Sequence, residues 1–345
     1  MRTRRRFYAA LTISLAGLAA AGCSSSSSSS ASSPAAASTG ASASSSANLS
    51  SVTLNVGDQK GTGAQAILAA AGLLDKLPFK VNWSDFTSGP TMVQAMSTGA
   101  VDIGGVGDAP PVFAASGGEN IVIVGARTTT DGDQDAIVVP KNSPIHSIAQ
   151  LRGKKVAVSV GSSDNYHLLT VLNKNGLTTK DITMVNLQPA PGLAAFSSGS
   201  IDAWDIWPPY VQQLTAQYGG HVIQTGPSYG SPYSYEVASK AAVANPAKAA
   251  AIRVFLKTLN QGYRWTATHP EQWGAAWGEA SGLPTSIMVQ AAKVSATTPV
   301  QITSDTIKSE QGVVDQFFAA GLIPNKVDMN DYMTDQFNDT VGSSA

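Results

Sequence analysis

Two stretches of this chain read alike: Met96-Ser-Thr-Gly-Ala-Val-Asp-Ile-Gly-Gly-Val-Gly-Asp-Ala-Pro-Pro-Val112 and Phe196-Ser-Ser-Gly-Ser-Ile-Asp-Ala-Trp-Asp-Ile-Trp-Pro-Pro-Tyr-Val211. Each reads as a helix end, a turn, a short strand, and a loop that opens a new helix. Ser97, Gly99 and Asp102 match Ser197, Gly199 and Asp202, and Pro110-Pro111 matches Pro208-Pro209 with one residue of slippage. Such wide spacing predicts two similar halves with one strand-to-helix loop in each. A plainer reading also stands here: Ser-Gly-x-apolar-Asp is a common way to leave a helix and enter a strand.

Outward from the first copy, the pattern predicts strands at 51–56, 80–86, 101–106, 121–126 and 136–139. Helices fall between them at 64–77, 91–97 and 111–115. From Pro140 the register restarts. A short helix at 147–153 leads to strands at 155–160, 182–186, 201–206 and 222–224, with helices at 166–175, 193–197 and 208–218. A strand at 234–238 returns towards the first half. The remainder reads as helices at 246–269, 272–280, 285–292, 304–320 and 331–338. Strands alternating with helices over short loops mean an α/β fold. The expected division is lobe 1 at 51–139, lobe 2 at 140–236, and a return to lobe 1 with C-terminal helices at 237–345.

Ahead of the folded part, residues 1–22 carry a charged start, an apolar run from Phe7 to Ala21 and a small-residue finish, the pattern of a secretory signal. Thr3-Arg4-Arg5-Arg6-Phe7 also resembles a twin-arginine export motif, so the export route stays open between that and general secretion. Ala20-Ala21-Gly22-Cys23 resembles a bacterial lipobox, with Cys23 as the lipidated N-terminus and the Ser/Ala-rich residues 23–50 as a flexible tether. The expected location is extracytoplasmic, anchored to the cell membrane by lipid.

The net charge is −1, and Arg2, Arg4, Arg5 and Arg6 of the leader supply four of the positive charges, which leaves the rest at −5. A mildly acidic protein argues against nucleic acid as a partner. Cys23 is the only cysteine among 345 residues, which rules out an internal disulfide and a thiolate metal cluster. The four histidines lack metal-ligand spacing, and no nucleophile elbow or paired-carboxylate motif stands out. The sequence therefore predicts no enzyme, no metal and no cofactor.

Ligands of open α/β sheets bind outside the carboxyl ends of the strands. Those ends carry 57–63, 88–91, 107–109, 162–165 and 204–207. Four of these loops are small, polar helix starts, whose free N–H groups and partial positive charge hold an anion. Ser88, Ser162, Ser163 and Asn165 add side-chain donors. Lys60 either meets an anion or points to solvent. Trp204 and Trp207, expected to project together, form either an apolar wall or part of the core. Asp108 and Asp205 orient backbone donors, bind a ligand amine, or cap. The implied ligand is a small molecule with an anionic head and an apolar or mixed tail.

Several segments resemble the aliphatic sulfonate-binding proteins of bacterial ABC importers, within the nitrate/sulfonate/taurine group. They are Val81-Asn-Trp-Ser-Asp-Phe-Thr-Ser-Gly-Pro90, Gly107-Asp-Ala-Pro-Pro-Val-Phe-Ala114, Val139-Pro-Lys-Asn-Ser-Pro-Ile145, Leu151-Arg-Gly-Lys-Lys-Val156, Gly161-Ser-Ser163 and Gly199-Ser-Ile-Asp-Ala-Trp-Asp-Ile-Trp207. The resemblance runs through most of 52–270. It implies a periplasmic-binding-protein type II fold, with two α/β lobes joined by a two-strand hinge and closing on ligand. It implies cleft positions at Gln59, Ser88, Gly89, Gly107, Asp108, Ser162, Ser163, Trp204 and Asp205, to which Asn165 and Trp207 are added from the loop reading. It also implies a monomer that delivers a sulfonate-like anion to an ABC permease and its ATPase, with receptors for taurine, nitrate or a vitamin precursor as the alternative. The chain departs from the family at Asn165, where histidine is frequent nearby, and at Trp207-Pro208-Pro209, where Trp-Asp-Pro is frequent.

Overall fold

The computed structural model describes residues 48–59, 63–129, 135–225 and 229–342. The leader, Cys23, most of the tether and Lys60 lie outside them.

The described chain begins with β1 (Thr53–Gln59), α1 (Ala64–Ala70), β2 (Lys80–Phe86), α2 (Gly89–Ser97), β3 (Ile103–Val106), α3 (Ala109–Ser116) and β4 (Ile121–Thr129). A second series follows: β5 (Ala136–Val139), β6 (Lys155–Val158), α4 (Ser163–Lys174), β7 (Thr183–Asn186), α5 (Pro189–Ser197), β8 (Ala203–Ile206), α6 (Tyr210–Tyr218) and β9 (His221–Thr225). The chain then runs through β10 (Tyr233–Ser239), α7 (Lys240–Ala244), α8 (Pro246–Thr268), α9 (Pro270–Ser281), α10 (Thr285–Val294), β11 (Thr297–Val300) and α11 (Ser304–Ala319).

Two sheets result, ordered β11-β4-β10-β3-β1-β2 and β7-β6-β8-β5-β9. In the first sheet β1 pairs in parallel with β2 and β3, and in the second β6 pairs in parallel with β7 and β8; an antiparallel strand lies beside the third of each set, β10 beside β3 and β5 beside β8. The chain therefore enters the second sheet between Thr129 and Ala136 and leaves it between Thr225 and Tyr233. The expected boundaries at 139/140 and 236/237 fall after β5, which pairs in the second sheet, and within β10, which pairs in the first. Sequence order hides this, because each crossing strand pairs with the lobe it enters.

The repeated stretch is a structural repeat. Ser97 Oγ donates to the Gln94 carbonyl (2.8 Å) and Ser197 Oγ to that of Ala194 (3.0 Å), closing α2 and α5 alike. Gly99 and Gly199 follow with φ of 80° and 70°, a region open to glycine. The Asp102 carboxylate accepts the Asn55 amide on β1 (2.9 Å), and that of Asp202 accepts the Lys155 amide on β6 (2.8 Å). Each aspartate thus ties the entry of the strand that follows it to a neighbouring parallel strand, β3 to β1 and β8 to β6. The copies diverge at the proline pairs: Pro110-Pro111 lies inside α3, whereas Pro208-Pro209 precedes α6 and its peptide is cis.

The first sheet is apolar on both faces. On β4, Val122 and Val124 join one core and Ile121 and Ile123 the other, the period-two alternation of a strand covered on both sides. α8 covers the first face with Ile252, Phe255, Leu256 and Leu259, spaced for one helical stripe. α2, α3 and α11 cover the second with Met92, Met96, Val112 and Phe317. Among the described residues, no helix is long and apolar enough to cross a membrane.

Several local readings need correction. The expected helix at 64–77 stops at Ala70, and Gly72 turns with φ 64° before a 3-10 turn at Leu74–Lys76. The expected helix at 147–153 is a 3-10 turn at Ile148–Leu151. The expected helix at 331–338 is absent. Met329, Met333 and Phe337 have helical spacing, but this segment instead bridges β4, with Ile123 and Thr334 amides bonded to the Tyr332 and Ile123 carbonyls. α7 and β11 were not foreseen. Pro299 argues against a strand, yet β11 lies at the sheet edge, where a missing donor is tolerated.

Candidate functional site

The loops at the carboxyl ends of β1, β3 and β8, with the starts of α2 and α4, border one cleft between the lobes. Its volume is about 1020 Å³ including the open mouth. Gln59, Gly89, Gly107, Ser162, Ser163 and Trp207 line it. A Cβ built on Gly107 would stand 2.9 Å from the Ser163 Cβ, so this residue of one lobe must be glycine for the other lobe to approach so closely.

The helix starts differ in what they already hold. At α2, Ser88 is fully buried, makes no side-chain capping bond, and its Oγ has no hydrogen-bond partner. Its neighbour Gly89 faces the cleft. At α3, the Asp108 carboxylate accepts the Ala109 amide (2.7 Å) and so serves as a cap. At α4, Ser162 Oγ bonds the Ser159 carbonyl (2.7 Å) and the Asp164 carboxylate. The start of α1 has an internal anion: Asp58 accepts the amides of Gln59, Ala64 and Gln65 at 2.8–2.9 Å. Burial pushes the Asp58 carboxyl up to about 6, although these three donors favour its charged form. Gln59 Nε2 donates to the Gly105 carbonyl (3.0 Å), which joins β1 to β3 beside the cleft.

With Ser88, five expected site residues sit behind the lining. Asn165 is buried and braces its loop, its Oδ1 accepting the Gly161 amide (3.1 Å). Asp108 caps α3. Asp205 is fully buried, with both carboxylate oxygens 2.8–2.9 Å from His167 Nδ1. Trp204 is also fully buried and packs with Phe196 and Tyr210 in the core of the second lobe. The two-indole wall is therefore corrected. Positions three apart along an extended chain face opposite sides, so Trp207 reaches the cleft and Trp204 does not.

The first lobe supplies lining residues that the motifs did not flag. Arg127 at the end of β4 pairs with Glu236 on β10 (2.5 Å), and its guanidinium lies 5.0 Å from the centre of the Tyr263 ring. Tyr263 donates its hydroxyl to the same Glu236 oxygen (2.8 Å). Burial raises the Glu236 carboxyl, and Arg127 opposes that rise. Asp58 and Asp135 bring acidic groups to the same lining. Trp273 and Trp277 of α9 stack at 5.2 Å and form an aromatic end wall. An arginine inside an otherwise apolar strand was the available signal for Arg127. Trp273 and Trp277 had none, because aromatic residues on an amphipathic helix usually mean core.

Set against known proteins, residues 84–273 match the family model described as NMT1/THI5 like, more than half of the chain. The chain belongs to this family. A putative aliphatic sulfonates-binding protein of Escherichia coli is 32% identical over 82% of this chain and 89% of its own length. The alkanesulfonate-binding protein SsuA from Xanthomonas axonopodis pv. citri, solved bound to MOPS, superposes with a TM-score of 0.77 at 30% identity, covering 83% of this chain and 99% of that one. The taurine-binding periplasmic protein of Escherichia coli is 36% identical over a shorter span, 39% of this chain and 41% of its own. The two-lobed α/β architecture is that of SsuA-type periplasmic binding proteins.

Proposed function

We propose that this protein is the extracytoplasmic, lipid-anchored receptor of an ABC importer. It captures a small organic anion, an aliphatic sulfonate, between its lobes and passes it to the permease and its ATPase. The observation that carries this reading is the closure over the cleft: Gly107 meets Ser163 with no space for a Cβ, beside an α2 start whose Ser88 Oγ lacks a partner. A sulfonate oxygen suits such a start, because helix N-termini favour anions and the hydroxyl donates to them. Arg127 adds positive charge to the lining, and Trp207 adds an apolar surface for the carbon chain. The names of the relatives support the sulfonate. On this reading the chain is a monomeric binding protein rather than an enzyme, and its one cysteine, Cys23, serves the anchor.

A thermal-shift panel tests the reading. A short alkanesulfonate at about 100 times its Kd stabilises by about 2.7 kcal/mol, which raises the Tm by roughly 5 °C for a protein of this size. Silence across the sulfonates, with shifts from nitrate or a vitamin precursor, would overturn the ligand assignment. Taurine is the second reading, favoured by Asp58 and Asp135, whose carboxylates suit an ammonium. A larger shift with taurine than with ethanesulfonate would establish it. The anchor is tested separately: Cys23→Ser should release the protein from membranes, and continued tight association would refute lipidation.

A further inference from the structure

The end of the cleft formed by the C-terminal helices holds polar atoms that the protein leaves unsatisfied. Trp277 is 1% exposed, and its Nε1–H has no hydrogen-bond partner. Ser295 Oγ is buried and also lacks one. Both residues border the cleft, together with Thr266 and Thr297. A buried donor is costly to leave unmade, and native structures keep one mainly where water or a ligand completes it. Trp277, Ser295 and Thr297 lie beyond residue 273, where the family match stops.

The donor type sets the ligand chemistry. An indole N–H donates and never accepts. An ammonium group brings only donors, and a methyl group brings neither, so only an acceptor satisfies Trp277. A serine hydroxyl supplies a second donor or takes a proton from a ligand hydroxyl. The stacked Trp273 and Trp277 rings and Ile67 give this end apolar walls, which suit carbon between the two polar ends of a ligand. The starts of α2 and α4 lie at the junction of the lobes, whereas Trp277 and Ser295 come from helices of the first lobe. We propose that Trp277 Nε1 and Ser295 Oγ form a second subsite, which selects sulfonates carrying an uncharged acceptor oxygen (ether, hydroxyl or carbonyl) at the end remote from the sulfonate. The proposal rests on the receptor reading above.

The test is calorimetric titration of the protein with morpholinopropanesulfonate and with its piperidine counterpart. The two differ in a ring oxygen against a ring methylene, and in a buffer acidic enough to protonate both amines the sulfonate, the charge and the shape are shared. The expected result is about tenfold tighter binding of the morpholine compound. Trp277→Phe keeps an aromatic ring but removes the N–H, and should bring the preference to about threefold or less with little change in piperidine affinity. Ser295→Ala tests the subsite without disturbing the Trp273–Trp277 stack and should also reduce the preference. Equal affinities in the wild type, or a full preference retained in both variants, would overturn the subsite. Binding of ethanesulfonate but neither ring compound would overturn it while the receptor reading stands. Failure of every sulfonate to bind would remove the receptor reading and the subsite together.

Discussion

Arg127→Met leaves the Glu236 carboxylate behind in a site with almost no water. The pair is 2.5 Å apart, and the side chains are 14% and 4% exposed. Removing one partner of a buried ion pair costs about 3–5 kcal/mol, because the remaining charge is uncompensated. Two features adjust the figure here. Tyr263 still donates to Glu236, and the carboxyl is already raised by burial, so part of the cost is avoided by proton uptake. The lower end, about 3 kcal/mol, is therefore expected near pH 7, which lowers the Tm by about 6 °C for a protein of this size. Arg127→Met with Glu236→Gln removes both charges and should recover most of the loss. Chemical denaturation of the wild type, both single variants and the double variant closes the cycle. A single variant as stable as the wild type, or a double variant worse than either single one, would refute the argument that Arg127 is held as the partner of Glu236. In the double variant, a sulfonate affinity lowered despite recovered stability assigns Arg127 a direct electrostatic part in binding.

Acid should stabilise the folded state over a defined window. The Asp58 carboxyl at about 6 lies above its ordinary value near 4, and Asp164, Glu236 and Glu310 are also raised, each mainly by burial. The native state therefore binds more protons than the unfolded chain between about pH 4 and 6, so stability falls as pH rises through that interval. The Asp58 share is roughly 3 kcal/mol. Denaturation series at pH 5 and 7 should show the drop, and Asp58→Asn should lessen it by the Asp58 share; a wild type more stable at pH 7 would contradict the assignment. Fluorescence separates the two tryptophans of the second lobe. Trp207→Phe should reduce a ligand-induced emission change to the part carried by Trp273 and Trp277, whereas Trp204→Phe should keep the whole change and lose stability by about 1–3 kcal/mol through the cavity left in the core. The reverse pattern would place Trp204 in the cleft after all.

The fold was legible because its grammar is local. Ser97, Gly99 and Asp102 work within one helix end and one strand entry, and the second copy repeats each bond. The cleft loops were legible for the same reason, since a helix start after a strand follows from adjacent residues. Alternation also decides Trp204 against Trp207, had it been applied to a spacing of three. What local pattern does not carry is pairing across the chain. Arg127 meets Glu236 across 109 positions, and β10 joins β3 only because the chain has left for the second lobe and returned. Likewise Met333 has a helical neighbourhood in sequence, but β4 offers it a strand partner in space. The far wall of the cleft was hidden in a helix whose tryptophans serve the core and the cleft at once.

A ligand seated where the lobes close must feel any change in how closely they meet. Calorimetric titration of wild type and Gly107→Ala with one short alkanesulfonate tests it most directly. The added methyl would stand 2.9 Å from the Ser163 Cβ, well inside carbon–carbon contact, so the lobes must part by several tenths of an ångström. The expected result is one site per chain in the wild type and binding at least about tenfold weaker in the variant, a loss near 1.4 kcal/mol, with the fold intact. Equal affinity in the two proteins would contradict it.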